Sequence, residues 1–213
     1  MPEPIEDVPE LHELIDEQSI HHGKVFDVAR ETFDYDGKPI TREIVRHPGA
    51  VAILALDDEG RVLLIRQYRH AIRTRAWEIP AGLLDKAGEP PLTGAQRELA
   101  EEADLAAARW DVLADFQNSP GGSDETIRVF LARDVSTVPA FERSDEEADI
   151  EVRWVPLDDV VDAVLARRVQ SPSLVIGALA AQAARARDWA TLAPGDEPWL
   201  RHPVLGGAPW HTR

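Results

Sequence analysis

The 213-residue chain contains no cysteine. That absence excludes a disulfide, a thiolate metal site and a cysteine nucleophile, and it favours a reducing, cytoplasmic setting. Basic residues are scarce: 23 Lys and Arg stand against 39 Asp and Glu, a formal net charge of −16 with neutral histidine. An anion of that strength repels phosphate backbones and acidic lipid surfaces, so neither nucleic-acid binding nor membrane binding is expected. Long apolar runs are missing too. The longest lie near Ala50–Leu56 and Leu174–Ala181, far below the ~18 residues of a membrane span. Met1–Glu10 (MPEPIEDVPE) is acidic and broken by proline, the opposite of a signal peptide's basic start and apolar middle.

What remains is ordinary globular composition, 44% hydrophobic and 29% charged. A chain of this size hides roughly 70% of its unfolded surface on folding, enough for one domain with a small appendage. Net negative charge does not exclude a small anionic substrate, because a bound divalent cation reverses the local field. The question is whether any of the carboxylates are arranged to hold one.

The order of elements follows from periodicity and turn signals. Lys24–Asp34 and Pro39–His47 flank Asp36-Gly37, a hairpin signal. Ala50–Leu56 and Arg61–Gln67 flank Asp57–Gly60 and read as a second hairpin of central strands, with a short strand at Trp77–Pro80. Pro90 and Pro91 open a helix for which Thr93 is the expected N-cap, with Gln96 completing a capping box. Strands are expected at Trp110–Gln117, Thr126–Ala132 and Ile150–Pro156, then helices at Asp158–Arg168 and Ser173–Trp189. The proline- and tryptophan-bearing end of the chain reads as irregular but anchored. The whole is an α/β pattern, a mixed sheet with helices on its faces.

The central helix reads Arg97-Glu98-Leu99-Ala100-Glu101-Glu102-Ala103. Glu98 and Glu102 fall about 40° apart around the helix, with Glu101 about 60° to the other side. Like charges so placed repel by a few tenths of a kcal/mol per pair unless a cation sits among them. Clustered hard oxygens suit Mg²⁺ or Mn²⁺. Arg97, four residues before Glu101, is placed to brace that side chain. The spacing alone also describes a solvated acidic face.

The residues before the helix extend the pattern: Gly82-Leu-Leu-Asp-Lys-Ala-Gly88-Glu89, seven residues, then Arg97-Glu98-Leu99-Ala100-Glu101-Glu102-Ala103-Asp104-Leu105. This segment resembles the Nudix box. It departs twice, by one extra residue between Gly82 and Glu89 and by Asp104 where the pattern has glycine. The first change lies in the loop and leaves the carboxylate spacing intact. Aspartate enters the left-handed conformation of a helix end less readily than glycine, yet does enter it. Trp77-Glu78-Ile79-Pro80-Ala81-Gly82, Gln67-Tyr68-Arg69 and Ser119-Pro120-Gly121-Gly122-Ser123-Asp124-Glu125 are similar to segments of the ADP-ribose pyrophosphatase subgroup.

The resemblance implies a Nudix α/β/α sandwich at 49–190, an N-terminal β-hairpin appendage at 1–48 for dimerisation and substrate contact, and an irregular tail at 191–213. It implies Mg²⁺-dependent hydrolysis of ADP-ribose to AMP and ribose 5-phosphate, with Mn²⁺ as an alternative metal. It makes Glu98, Glu102 and Glu101 metal ligands together with the Ala81 carbonyl, and Glu89 and Arg97 their supports. The base would lie in the acidic loop Glu142–Asp149, at Glu146 or, one position on, Glu147. Arg69 would clamp the diphosphate, Gly121 and Gly122 would let backbone approach the ligand, and Glu125 would accept bonds from ribose hydroxyls. Arg42 and Glu43 would hold the adenine end across a homodimer interface. Two alternatives stay open: the same chemistry on another nucleoside diphosphate derivative, such as an ADP-sugar, NADH or FAD, and a catalytically silent nucleotide-binding module.

Overall fold

The computed structural model describes residues 4–141, 149–202 and 205. The chain begins with three antiparallel strands, β1 (Leu14–His22), β2 (Asp27–Tyr35) and β3 (Lys38–Arg46), in the order β1-β2-β3. Asp36 and Gly37 both carry positive φ, 52° and 77°, the primed-turn geometry that matches strand twist. The expected hairpin is therefore present, with a third strand beside it. All of β1 is exposed, and Leu14, Ile15 and Ile20 do not alternate with polar residues, so periodicity gave no sign of it.

The next strands are β4 (Ala50–Ala55), β5 (Arg61–Arg69), β6 (Thr74–Glu78) and β7 (Ala81–Leu83). The second hairpin expected from the sequence does not form. β4 and β5 part into different sheets, linked by one bridge between Leu56 and Val62. The reason lies in β4, whose two edges are already taken, one by β7 and the other, in parallel, by β9 (Thr126–Thr137). The five-stranded sheet runs β11-β8-β9-β4-β7, where β8 is Leu105–Gln117 and β11 is Ala193–Pro194. A second, antiparallel sheet runs β10-β5-β6, with β10 at Glu151–Pro156.

β4 is buried throughout, as a central strand covered on both faces must be. Ala50, Ala52 and Leu54 face the cluster formed with α2 (Leu157–Leu165) and α3 (Pro172–Arg185). Val51, Ile53 and Ala55 face the cluster containing Ala95 and Leu99 of α1 (Pro91–Ala103). The result is an α/β/α sandwich with α1 alone on one side. Gly177 of α3 packs against Ile79, Val129 and Leu54. Among the described residues no helix is long and apolar enough to cross a membrane.

α1 starts three residues before the sequence reading placed its first turn. Pro90 is the N-cap, without a side-chain bond, and the expected Thr93–Gln96 capping box is not made. Pro91 at the first helical position has its φ preset and lacks only an N–H that would be unsatisfied there anyway, so the proline pair outcompetes the threonine. At the other end Asp104 is left-handed (φ 55°, ψ 37°), and its N–H bonds the Ala100 carbonyl. Its side chain does more than a glycine would: Oδ1 accepts from the Phe141 N–H at 2.9 Å. Within the described part of the tail Trp199 is only 4% exposed, and Arg128, held by both oxygens of Asp115, donates to the Glu197 carbonyl at 2.6 Å.

Candidate active site

The burial of α1 sets the position of each acidic side chain. Gly94, Ala95, Leu99 and Glu102 face inward, because positions four and seven along a helix share a face. Glu102 is thus a buried carboxylate, and its Oε2 accepts the Ala81 N–H of β7 at 2.9 Å. Glu98 lies beside it against Gly82. A Cβ on Gly82 would stand 2.0 Å from Glu98 Cδ and 2.1 Å from Oε1, so only glycine allows this approach. Glu101 is the more exposed of the three, at 39% against 14% for Glu98.

Arg97 organises the charge. Its Nε and Nη2 fork onto Glu89 at 3.0 and 2.9 Å, and its Nη1 reaches Glu98 at 2.5 Å and Glu101 at 3.0 Å. The bond to Glu89 does most to raise the guanidinium's pKa and to lower the carboxyl's. Glu98 moves the other way. Burial pushes it above the usual carboxylate range despite the neighbouring Arg97, because taking a charge from water costs more than one shared cation returns.

Among the described residues no three His, Cys, Asp or Glu side chains already form a metal cage. The donor chemistry nonetheless fits a divalent cation. Three carboxylates lie on or beside one face of α1, Arg97 is shared between Glu98 and Glu101, and Glu98 is held above its ordinary pKa by burial. Clustered hard oxygen donors are what Mg²⁺ or Mn²⁺ require.

The remaining candidates fall into three places. Arg69 lies on β5 with its guanidinium on Glu78, Nε and Nη2 reaching it at 3.0 and 2.6 Å. The Ser119–Glu125 loop docks on the end of β3: Val45 N–H donates to the Gly122 carbonyl at 2.9 Å and Asp124 N–H to the Val45 carbonyl at 3.1 Å. In that loop Glu125 accepts from Asn118 Nδ2 at 2.9 Å and lies 4.0 Å from His47 Nε2. Arg42 and Glu43 occupy exposed positions of β3, where Glu43 pairs with Arg30 at 2.6 Å and Arg42 donates to the Thr41 carbonyl. Glu146 and Glu147 lie outside the described residues.

Sequence reasoning gave no site role to Glu78, Gln67, His47 or Asp124. Asp124 accepts the His47 N–H at 2.7 Å and ties the loop to the chain entering β4. The available signal for Glu78 was its type: an acid inside the otherwise uncharged Ala76-Trp77-Glu78-Ile79 run.

The α/β/α sandwich thus seats an acidic helix on a glycine-bearing strand. The NUDIX domain model matches residues 45–174, and the chain belongs to that family as a Nudix hydrolase, whose members generally need a divalent metal. It is 42% identical over 197 residues to the ADP-ribose pyrophosphatase of Mycobacterium tuberculosis, covering 92% of this chain and 95% of that protein. It is 41% identical over 156 residues to the ADP-ribose pyrophosphatase of Bacillus subtilis, covering 73% and 84%. A crystal structure of an ADP compounds hydrolase superposes with a TM-score of 0.71 at 17% identity, covering 85% of this chain and 98% of that one. At that identity the likeness shows the fold alone.

Proposed function

We propose that this Nudix hydrolase cleaves the diphosphate bond of ADP-ribose to give AMP and ribose 5-phosphate, with Mg²⁺ as cofactor and Mn²⁺ able to replace it. The observation that carries the reading is the seating of Glu98 and Glu102 against the Ala81–Gly82 backbone, with Arg97 binding Glu89, Glu98 and Glu101. The choice of substrate is supported by the two relatives of 41–42% identity. Glu98, Glu101, Glu102 and the Ala81 carbonyl would hold the divalent metal. When bound, it neutralises the diphosphate and lowers the pKa of water.

The chain's own groups do the rest. Arg97 and Glu89 fix the rotamers of the acidic side chains before substrate arrives. The Arg69 guanidinium matches diphosphate oxygens, and the attacking water gives its proton to Glu146 or Glu147. Gly121 and Gly122 admit the ligand close to backbone, and Glu125 accepts from ribose hydroxyls. Residues 1–48 act as the dimerising unit of a cytoplasmic homodimer, with Arg42 and Glu43 serving the adenine end, while 49–190 form the catalytic unit and 191–213 the tail.

Product analysis over ADP-ribose, ADP-glucose, NADH, FAD and diadenosine compounds, in ¹⁸O-labelled water, tests this reading. AMP and ribose 5-phosphate released fastest from ADP-ribose, only with divalent metal, are expected. Faster turnover of another compound would reassign the substrate, and binding without product would make the chain a silent module.

A further inference from the structure

Glu78 is only 8% exposed, and a carboxylate so buried is costly unless paired and hydrogen-bonded. Its partners come from the neighbouring strand. Arg69 Nε lies 3.0 Å from Oε1 and 3.2 Å from Oε2, Arg69 Nη2 lies 2.6 Å from Oε2, and Gln67 Nε2 lies 3.4 Å from Oε2. The register makes this pairing unusual. Glu78 stands opposite Ile65, whereas Arg69 stands opposite Thr74. The arginine therefore folds back along the sheet, past the row where Gln67 faces Ala76, instead of meeting a carboxylate directly across from it.

Two further facts give the contact a purpose. The Arg69 side chain remains 42% exposed while that of Glu78 is 11% exposed, so a covered carboxylate grips a partly exposed arginine. Glu78 also precedes Ile79-Pro80-Ala81-Gly82, the backbone against which Glu98 and Glu102 are seated, and the Pro80 carbonyl is pinned by the Ile53 N–H at 2.7 Å. The anchor of Arg69 and the seat of the α1 acids thus share one short, fixed segment.

We propose that Glu78 is a positioning residue for Arg69, holding its guanidinium in place for the substrate diphosphate before binding. The proposal rests on the reading of Arg69 as the diphosphate-binding group. A loose arginine has rotamer freedom to lose when it binds; one already anchored has lost it on folding.

The test is a double-mutant cycle of Glu78→Gln and Arg69→Ala with ADP-ribose and Mg²⁺, with folding followed by circular dichroism and thermal melting. Glu78→Gln keeps the side-chain shape and is expected to raise KM about tenfold, with kcat changed less than about twofold, the signature of lost uniform binding. R69A should raise KM at least as much, and E78Q added to R69A should raise it no further. Glu78→Asp, which keeps the charge, should recover part of the loss. If E78Q does not fold, E78D in the wild-type and R69A backgrounds carries the same comparison. R69A raising KM while E78Q leaves it unchanged would overturn the positioning role and leave Arg69 as the binding group. A further rise on adding E78Q to R69A would also overturn it. An unchanged KM in R69A would overturn the reading of Arg69 and the proposal with it.

Discussion

At the α1–β7 junction, Arg97 is one-fifth exposed and bonds Glu89, Glu98 and Glu101. On the N-terminal sheet, Arg30 and Glu43 pair at 2.6 Å with side chains 47% and 60% exposed. Both regions bring opposite charges together, but water decides what each pairing is worth. On the sheet, solvent screens the ions and the pair changes stability little. At the junction burial makes every charge costly, and the cost differs between neighbours: Arg97 lowers the pKa of Glu89 while burial raises that of Glu98. Burial disfavours the anionic form of Glu98, a cost that a bound cation would offset.

The largest expected effect comes from removing that anion. Glu98→Gln or Glu102→Gln should lower kcat by about a thousandfold, equivalent to about 4 kcal/mol of transition-state stabilisation. Metal-free Glu98→Gln should melt at a higher temperature than the wild type, because the raised pKa marks a net cost of the ionised form. Steady-state kinetics and calorimetry on the same preparations check both halves.

A second variant breaks the junction without removing a charge. Gly82→Ala would place a methyl 2.0 Å from Glu98 Cδ, forcing the carboxylate away. Displacement of about 1 Å at a reacting centre costs about a hundredfold in turnover, which single-turnover kinetics will read.

The pH dependence sharpens the contrast within the junction. Glu89 has a lowered pKa, so its stabilisation is present above the ordinary carboxylate pKa and is lost as pH falls through the lowered value. Glu89→Gln should cost about 1–2 kcal/mol at neutral pH, with the difference from wild type vanishing in acid. Glu98 has the opposite sign: metal-free wild type gains stability as pH falls through its raised pKa. Denaturation midpoints across the acid range separate the two. The smallest effect belongs to the sheet. Arg30→Ala should change stability by less than about 0.5 kcal/mol, and that change should disappear in high salt.

The same contrast governs what was legible in the sequence. The spacing of Glu98, Glu101 and Glu102, the brace from Arg97 and the left-handed Asp104 were readable because chemistry and helix geometry fix them within a few residues. The departure of β5 from β4 was not, since it depends on β7 and β9 occupying both edges of β4. The helix start was misplaced because two signals competed, and Pro90-Pro91 prevailed over Thr93. β1 escaped notice for want of alternation: Leu14, Ile15 and Ile20 are all exposed. Arg69 stood out as a cation, while Glu78, four register positions from it across the sheet, carried no sequence sign of the pairing.

The account stands or falls on whether the α1 carboxylates hold a divalent cation. Mn²⁺ titration of the substrate-free protein, followed by electron paramagnetic resonance, measures this directly. Wild type should bind Mn²⁺ in competition with Mg²⁺, and Glu98→Gln and Glu102→Gln should each weaken that binding by more than about tenfold. Equal Mn²⁺ affinity in wild type and both variants would contradict the account.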